Sequence, residues 1–193
     1  LQSCRDYTTV WQSKRKFKLD EFTSRTIRIV AYLSVLWFAG SSLSVYPHSL
    51  SYFNELAGGP RGGHAHMIHS SIDWGQDLLY LKQWADEHPD ATPLHLIYCG
   101  DFDPQLLGIE FEAPEFTHPP DGSLSTLVLK PGWYAVSVNF LRGYEWRAPI
   151  GDGRFETVPQ DSCAALLERE PAALAGYSIY IYEISPPGND IAD

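Results

Sequence analysis

The chain has 193 residues, 44% of them hydrophobic and 20% charged. This balance fits one folded domain plus an appendage and excludes a disordered chain. Its formal net charge of -10 argues against nucleic-acid binding, which depends on neutralising phosphates with Lys and Arg. The charge is unevenly spread: residues 1–28 hold seven Lys/Arg and three Asp/Glu (+4), and residues 29–193 hold seven and twenty-one (-14).

The boundary between the two is an uncharged run of seventeen residues, Ile29–Val45. It lies at the short end of what crosses a hydrocarbon core of roughly 30 Å, and the stem of Arg28 can extend it by snorkelling. Gly40, Ser41, Ser42 and Ser44 suit packing against other membrane helices. Lys14, Arg15, Lys16, Lys18, Arg25 and Arg28 all lie before the run, so the positive-inside rule puts residues 1–28 in the cytoplasm and the acidic body outside. Tyr46, Tyr52 and Phe53 stand where an interfacial aromatic belt belongs. A buried helix of a soluble domain is the alternative. The first residue is Leu1, from which the chain is read as a fragment or a processed product.

Residues 46–72 form an interface segment and a Gly-rich loop, with a turn or two of helix at Ser49–Leu56 stopped by Gly58, Gly59 and Pro60. Trp74, Leu78, Leu81 and Ala85 recur at helical spacing, predicting a helix over Asp73–His88 with Trp74 and Leu78 facing the core. Ser70, Ser71 and Asp73 are competent caps, and Asp73 and Asp77 place negative charge in the first turns. A buried strand follows at Leu94–Gly100, a turn or brief helix at Asp103–Gly108, strands near Thr126–Leu129 and at Trp133–Asn139, a helix over Gln160–Glu170 and a last strand at Gly176–Ile184. The expected fold is α/β: one transmembrane helix, then a small α/β domain over residues 73–185 with a short, partly parallel sheet of three to four strands, and a polar tail at 186–193.

Candidate chemistry is sparse. His64, His66 and His69 in "HAHMIH", with His48 upstream, offer imidazoles for a metal, but no Cys is near and the loop lacks rigid geometry, so no metal is assigned. Asp101 and Asp103 follow the first strand, where ligands of open α/β sheets bind; Asp before Phe and Pro is also ordinary turn chemistry. Asp73 and Asp77 are a carboxylate pair four apart, for which acid–base work competes with helix-start electrostatics. "GGPRGG" lacks the ending of a phosphate loop, and no self-sufficient catalytic or cofactor motif is present. Cys4, Cys99 and Cys163 have no metal-motif spacing.

"YPHSLSYFNELAGGPRGG", "IDWGQDL", "PGWYAVSV" and "GYSIYIYEI" resemble, in that order, the C-terminal region of bacterial multi-spanning glycosyltransferases of family 39, which are similar to dolichyl-phosphate-mannose protein mannosyltransferases. The resemblance covers residues 29–185. It implies an inverting transferase fed by a polyprenyl-phosphate sugar, placed in the cell membrane with the bilayer and upstream helices of the same polypeptide as partners. The family's expected catalytic carboxylate lies in an early extracytoplasmic loop outside this chain, so no catalytic residue carries over. The matching positions are Tyr52, Phe53, Asn54, Glu55, Gly58, Gly59, Pro60, Asp73, Trp74, Gly75, Gln76 and Asp77. His69 and Ser71 stand where the family tends to have Asp and Asn. Substrate or interface candidates are therefore Tyr52, Asn54, Glu55, Asp73, Trp74, Gly75, Gln76, Asp77, Asp101 and Asp103, with Gly75 and Gln76 as points of close approach for a ligand or the membrane part. The alternatives are a membrane-anchored extracytoplasmic binding module and a small hydrolase using Asp101 or Asp103.

Overall fold

A computed structural model describes residues 3–121 and 123–186, with side chains from Glu21 onward apart from that of Ser71. The end of the polar tail, residues 187–193, lies outside the described residues, as do the side chains of Lys14, Arg15, Lys16 and Lys18. The chain divides into two units, Leu1–Tyr46 and Pro47–Asp193.

The first unit is one helix, α1 (Ser3–Ser44). Its segment Glu21–Ser44 is 24 residues of sufficient length and apolarity to cross a membrane, about 36 Å at 1.5 Å per residue. Ile29, Leu33, Leu36 and Trp37 are all exposed within this unit, the state lipid-facing side chains require. The helix stops at a turn before Pro47, which cannot donate a helical hydrogen bond.

The second unit is a mixed α/β domain. It opens with short 3-10 turns around α2 (Gly59–Gly62), followed by α3 (Leu78–Glu87) and β1 (Leu94–Ile97). Next come β2 (Gly132–Ser137), α4 (Val138–Leu141), β3 (Trp146–Gly151), β4 (Arg154–Val158), β5 (Ala173–Ala175) and β6 (Ile179–Ile184). The main sheet has the order β1-β2-β6-β5. β1 runs parallel to β2, and β6 is antiparallel to both β2 and β5.

Side chains alternate across this sheet with the period of two that strands impose. Leu94, Leu96, Ala135, Ile179 and Ile181 point to one face, where Leu78 and Leu81 of α3 cover them. Ile97, Tyr134, Val136 and Tyr182 point to the other, beneath Phe140, Leu141, Leu166 and the β3–β4 hairpin residues Ala148 and Val158. Burying each Leu on this scale stabilises the fold by about 2 kcal/mol.

Several local expectations change. The helix predicted from Asp73 begins only at Leu78, and residues 73–77 are a turn. Trp74 is 74% exposed and does not face the core. The strand near Thr126–Leu129 is reduced to one isolated bridge, Phe116 to Leu127. The Gln160–Glu170 helix contracts to a 3-10 turn, Ala164–Glu168. The β3–β4 hairpin was not expected, although its tip, Asp152–Gly153, has φ of 53° and 67°, the left-handed pair a type I′ turn demands.

The membrane assignment of Glu21–Ser44 has a direct check. After alkaline carbonate washing, the full chain is expected to stay in the membrane pellet, and its recovery in the supernatant would contradict the assignment.

Candidate functional site

The parallel strands β1 and β2 end on the same side of the sheet, and the antiparallel β6 begins there, with Ser137 paired to Ile179. Open α/β sheets bind ligands at this edge. It brings together three stretches: Cys99–Asp101 after β1, Asn139 after β2, and Gly176–Ser178 before β6. The segment His69–Asp77 crosses over them.

Asp77 fastens this crossing. It is fully buried, and its Oδ2 accepts hydrogen bonds from the backbone N–H of Tyr177 and of Ser178, each 2.9 Å. It stands at the N-cap position of α3, at the helix start as expected, but makes no side-chain cap there. A distant pair of strand-end donors captures the carboxylate instead. Gly176 (φ +62°) lies directly beneath it, where any Cβ would run into the carboxylate. On the other side His48 Nδ1 approaches Asp77 Oδ1 at 3.6 Å, too long for a hydrogen bond, while its ring packs on Tyr80 and Tyr177.

Asp73 is the second buried carboxylate. Oδ1 accepts from Gly75 N–H (2.7 Å) and Oδ2 from the Ser178 hydroxyl (2.7 Å). Burial, reinforced by the Asp77 charge, outweighs these bonds and pushes its carboxyl up to about 6. Its environment is thus that of a carboxyl easily kept neutral, the property that distinguishes one acid of a pair from another.

Gly75 has φ +101°, and an added Cβ would meet the buried Tyr98 hydroxyl. The Tyr98 hydroxyl by itself accounts for the glycine at this position. Gln76 is also structural: its Oε1 accepts from Trp74 N–H and its Nε2 donates to Ile72 C=O.

A cavity of about 260 Å³ opens beside this turn. Its lining includes the polar side chains of Asp73, Cys99, Asp101 and Asn139 and the aromatic rings of Trp74, Phe102 and Trp146. His69 also lines it, at φ +68°, with its N–H donated to Asn139 Oδ1 (2.5 Å). Burial pushes the Cys99 thiol up to about 11, so it is a neutral thiol and not an activated nucleophile.

The other expected positions divide between the cavity and the scaffold. Asp101 lines the cavity and holds Arg147 through Nε (3.1 Å) and Nη2 (2.8 Å). Asp103 caps the 3-10 helix Pro104–Leu107 and accepts from Gly153 N–H in the hairpin. Asn54 caps a 3-10 turn, Glu55–Ala57, by accepting from Ala57 N–H. Tyr52 is half-buried and Glu55 exposed, and neither lines the cavity. Asn139, Phe102 and Trp146 also line the cavity and are not among the expected positions; no motif or spacing marks them in the sequence.

Among the described residues no three His, Cys, Asp or Glu side chains come together as a metal site. His64 is instead a structural clasp. Its Nδ1 accepts from Arg142 Nε (2.8 Å) and its Nε2 meets Tyr180 Oη (3.0 Å), and burial with Arg142 lowers its pKa. Cys99 and Cys163 are both free thiols. Comparison with family models, curated proteins and solved structures finds no match to this chain.

Two predictions follow from the carboxylates. Asp77→Ala leaves two buried N–H donors without their charged acceptor and is expected to cost about 3–5 kcal/mol, whereas Asp77→Asn keeps an acceptor and costs clearly less; denaturant titration measures both. For Asp73 the folded state holds its proton more tightly than the unfolded chain. Its contribution is therefore complete below pH 4 and is lost as pH rises towards 6. Relative to Asp73→Asn, the wild type is expected to lose roughly 3 kcal/mol across that window, a difference in which the histidines cancel. Parallel pH profiles for the two proteins would contradict the assignment.

Proposed function

We propose that this chain is the C-terminal portion of a bacterial membrane glycosyltransferase of the family 39 type, using a polyprenyl-phosphate sugar donor. Its α/β domain is accessory and does not perform the transfer alone. The observation that carries this reading is the coherence of the residues on which the resemblance rests. Ser51 donates its hydroxyl to Ile72 C=O (2.9 Å) from a fully buried position, the Phe53 ring occupies the space above Gly63, and Asp73 and Asp77 hold the start of β6. The "SLSYFNELAGGP" and "DWGQD" stretches thus belong to one interlocked unit that follows an apolar helix directly.

In this reading the acidic domain lies on the extracytoplasmic side, the bilayer and upstream helices of the same polypeptide are its partners, and the polyprenyl-phosphate sugar is bound mainly by those helices. Support for the orientation comes from the basic residues before the span and the excess of acidic residues after it. A second reading, a membrane-anchored extracytoplasmic binding module, is favoured by the cavity itself, which holds polar and aromatic groups but no activated nucleophile.

The gene immediately upstream of Leu1 separates the two. A reading frame continuing through many hydrophobic spans is expected, whereas a start codon just before Leu1 would favour the anchored module. Orientation is tested by fusing alkaline phosphatase, active only outside the cytoplasm, after Pro186. An active fusion is expected, and an inactive but expressed one would reverse the sidedness.

A further inference from the structure

We infer that the cavity at the carboxyl end of β1 and β2 is a binding subsite for a neutral pyranose, one ring of an acceptor glycan. The first argument is the state of its aromatic rings. Trp74, Phe102 and Trp146 are 74%, 46% and 41% exposed, an unusual concentration of apolar surface for a domain with two well-filled cores. Two of these rings are nevertheless held in place. Trp74 Nε1 donates to Ser70 C=O (2.7 Å) and its backbone N–H to Gln76 Oε1 (2.9 Å). Trp146 lies nearly parallel to Tyr144 (25°, 6.0 Å between centroids), with His69 at its edge and the Arg147 guanidinium over it. Trp74, fixed in this way and open to solvent, presents a preformed aromatic surface at little entropic cost to a ligand, and Trp146 adds the part of its ring that Tyr144 and Arg147 leave exposed.

The second argument is the pairing of those faces with polar groups. A pyranose has C–H groups on its faces, suited to the electron-rich face of an aromatic ring, and hydroxyls at its rim that need donors and acceptors. Asp73, Asp101 and Asn139, whose side-chain oxygens already hold Ser178, Arg147 and His69, line the same cavity and keep further lone pairs for a ligand hydroxyl. A volume of about 260 Å³ accommodates one ring, with the remainder of a longer glycan left in solvent.

The third argument is charge. Arg147 pairs with Asp101 at 2.8 Å, and among the described residues no Lys or Arg lines the cavity, so a phosphate would meet carboxylates with no lining cation. This selects the neutral acceptor sugar over the phosphate of the donor. The biological role of the sugar rests on the transferase reading; the binding itself does not.

The experiment uses the full chain in phosphatidylcholine nanodiscs, free of glycoside detergents, which would compete. Neutral hexoses, N-acetylhexosamines and their short oligosaccharides are titrated by saturation-transfer NMR alongside a hexose 1-phosphate. A saturable signal from at least one neutral sugar is expected, with weaker binding of the phosphate. Trp74→Ala and Trp146→Ala are each expected to weaken binding at least tenfold, with circular dichroism unchanged for Trp74→Ala, while Trp37→Ala in the membrane span binds as wild type. The inference is overturned if no neutral sugar binds, if the phosphate binds more tightly, or if both cavity variants bind as wild type. Sugar binding without upstream spans would remove the transferase reading and leave the subsite; upstream spans without sugar binding would do the reverse.

Discussion

The domain depends on one buried carboxylate. Asp77 carries a charge-bearing group with no solvent exposure and repays that burial by taking two backbone N–H groups from the first turn into β6, a hundred residues further along. Those donors sit where the sheet ends and lack ladder partners, so they must be satisfied by something else. A carboxylate does this more strongly than a neutral acceptor. The arrangement leaves no room for a side chain at Gly176. It also draws the preceding turn across the sheet edge, which places Asp73 within reach of Ser178.

Placing two carboxylates close together in this way has a chemical consequence. Asp73 is almost fully buried and lies near the Asp77 charge, and both disfavour its ionised form. It is Asp73, with a hydroxyl and one N–H as partners, that rises to about 6. The cavity therefore owes its position to the fold: the same contacts that close the sheet end create its polar wall. Burial pushes the Cys99 thiol in the same lining up to about 11.

The legibility of the sequence follows the range of the interactions. The α/β class, the apolar helix and the alternating strands were readable because periodicity is a local property. Leu94, Leu96, Ile179 and Ile181 announce their face through neighbours two positions away. The partners of Asp73 and Asp77 were hidden for the same reason. Four apart and before an apolar helix, the two aspartates have the local signature of a helix start, while their true partners, Tyr177 and Ser178, lie beyond any pattern window. Trp74 fell at helical spacing with Leu78 and Leu81 and so looked like core, although α3 begins after it. The hairpin was missed because Pro149 weakens the strand signal of β3, even though Asp152–Gly153 names the turn.

"DWGQD" can now be divided by role. Asp73 and Asp77 bind the start of β6. Gly75 exists because its backbone is left-handed and the Tyr98 hydroxyl lies against it. Gln76 closes the turn on both sides. All four are explained by contacts within the domain. Trp74 differs: the fold uses its backbone N–H and its indole N–H to fix it, but leaves three-quarters of the side chain in solvent. A smaller residue would complete the same turn without exposing an aromatic surface. The packing of the domain does not account for the ring, which lines the cavity at the end of the sheet.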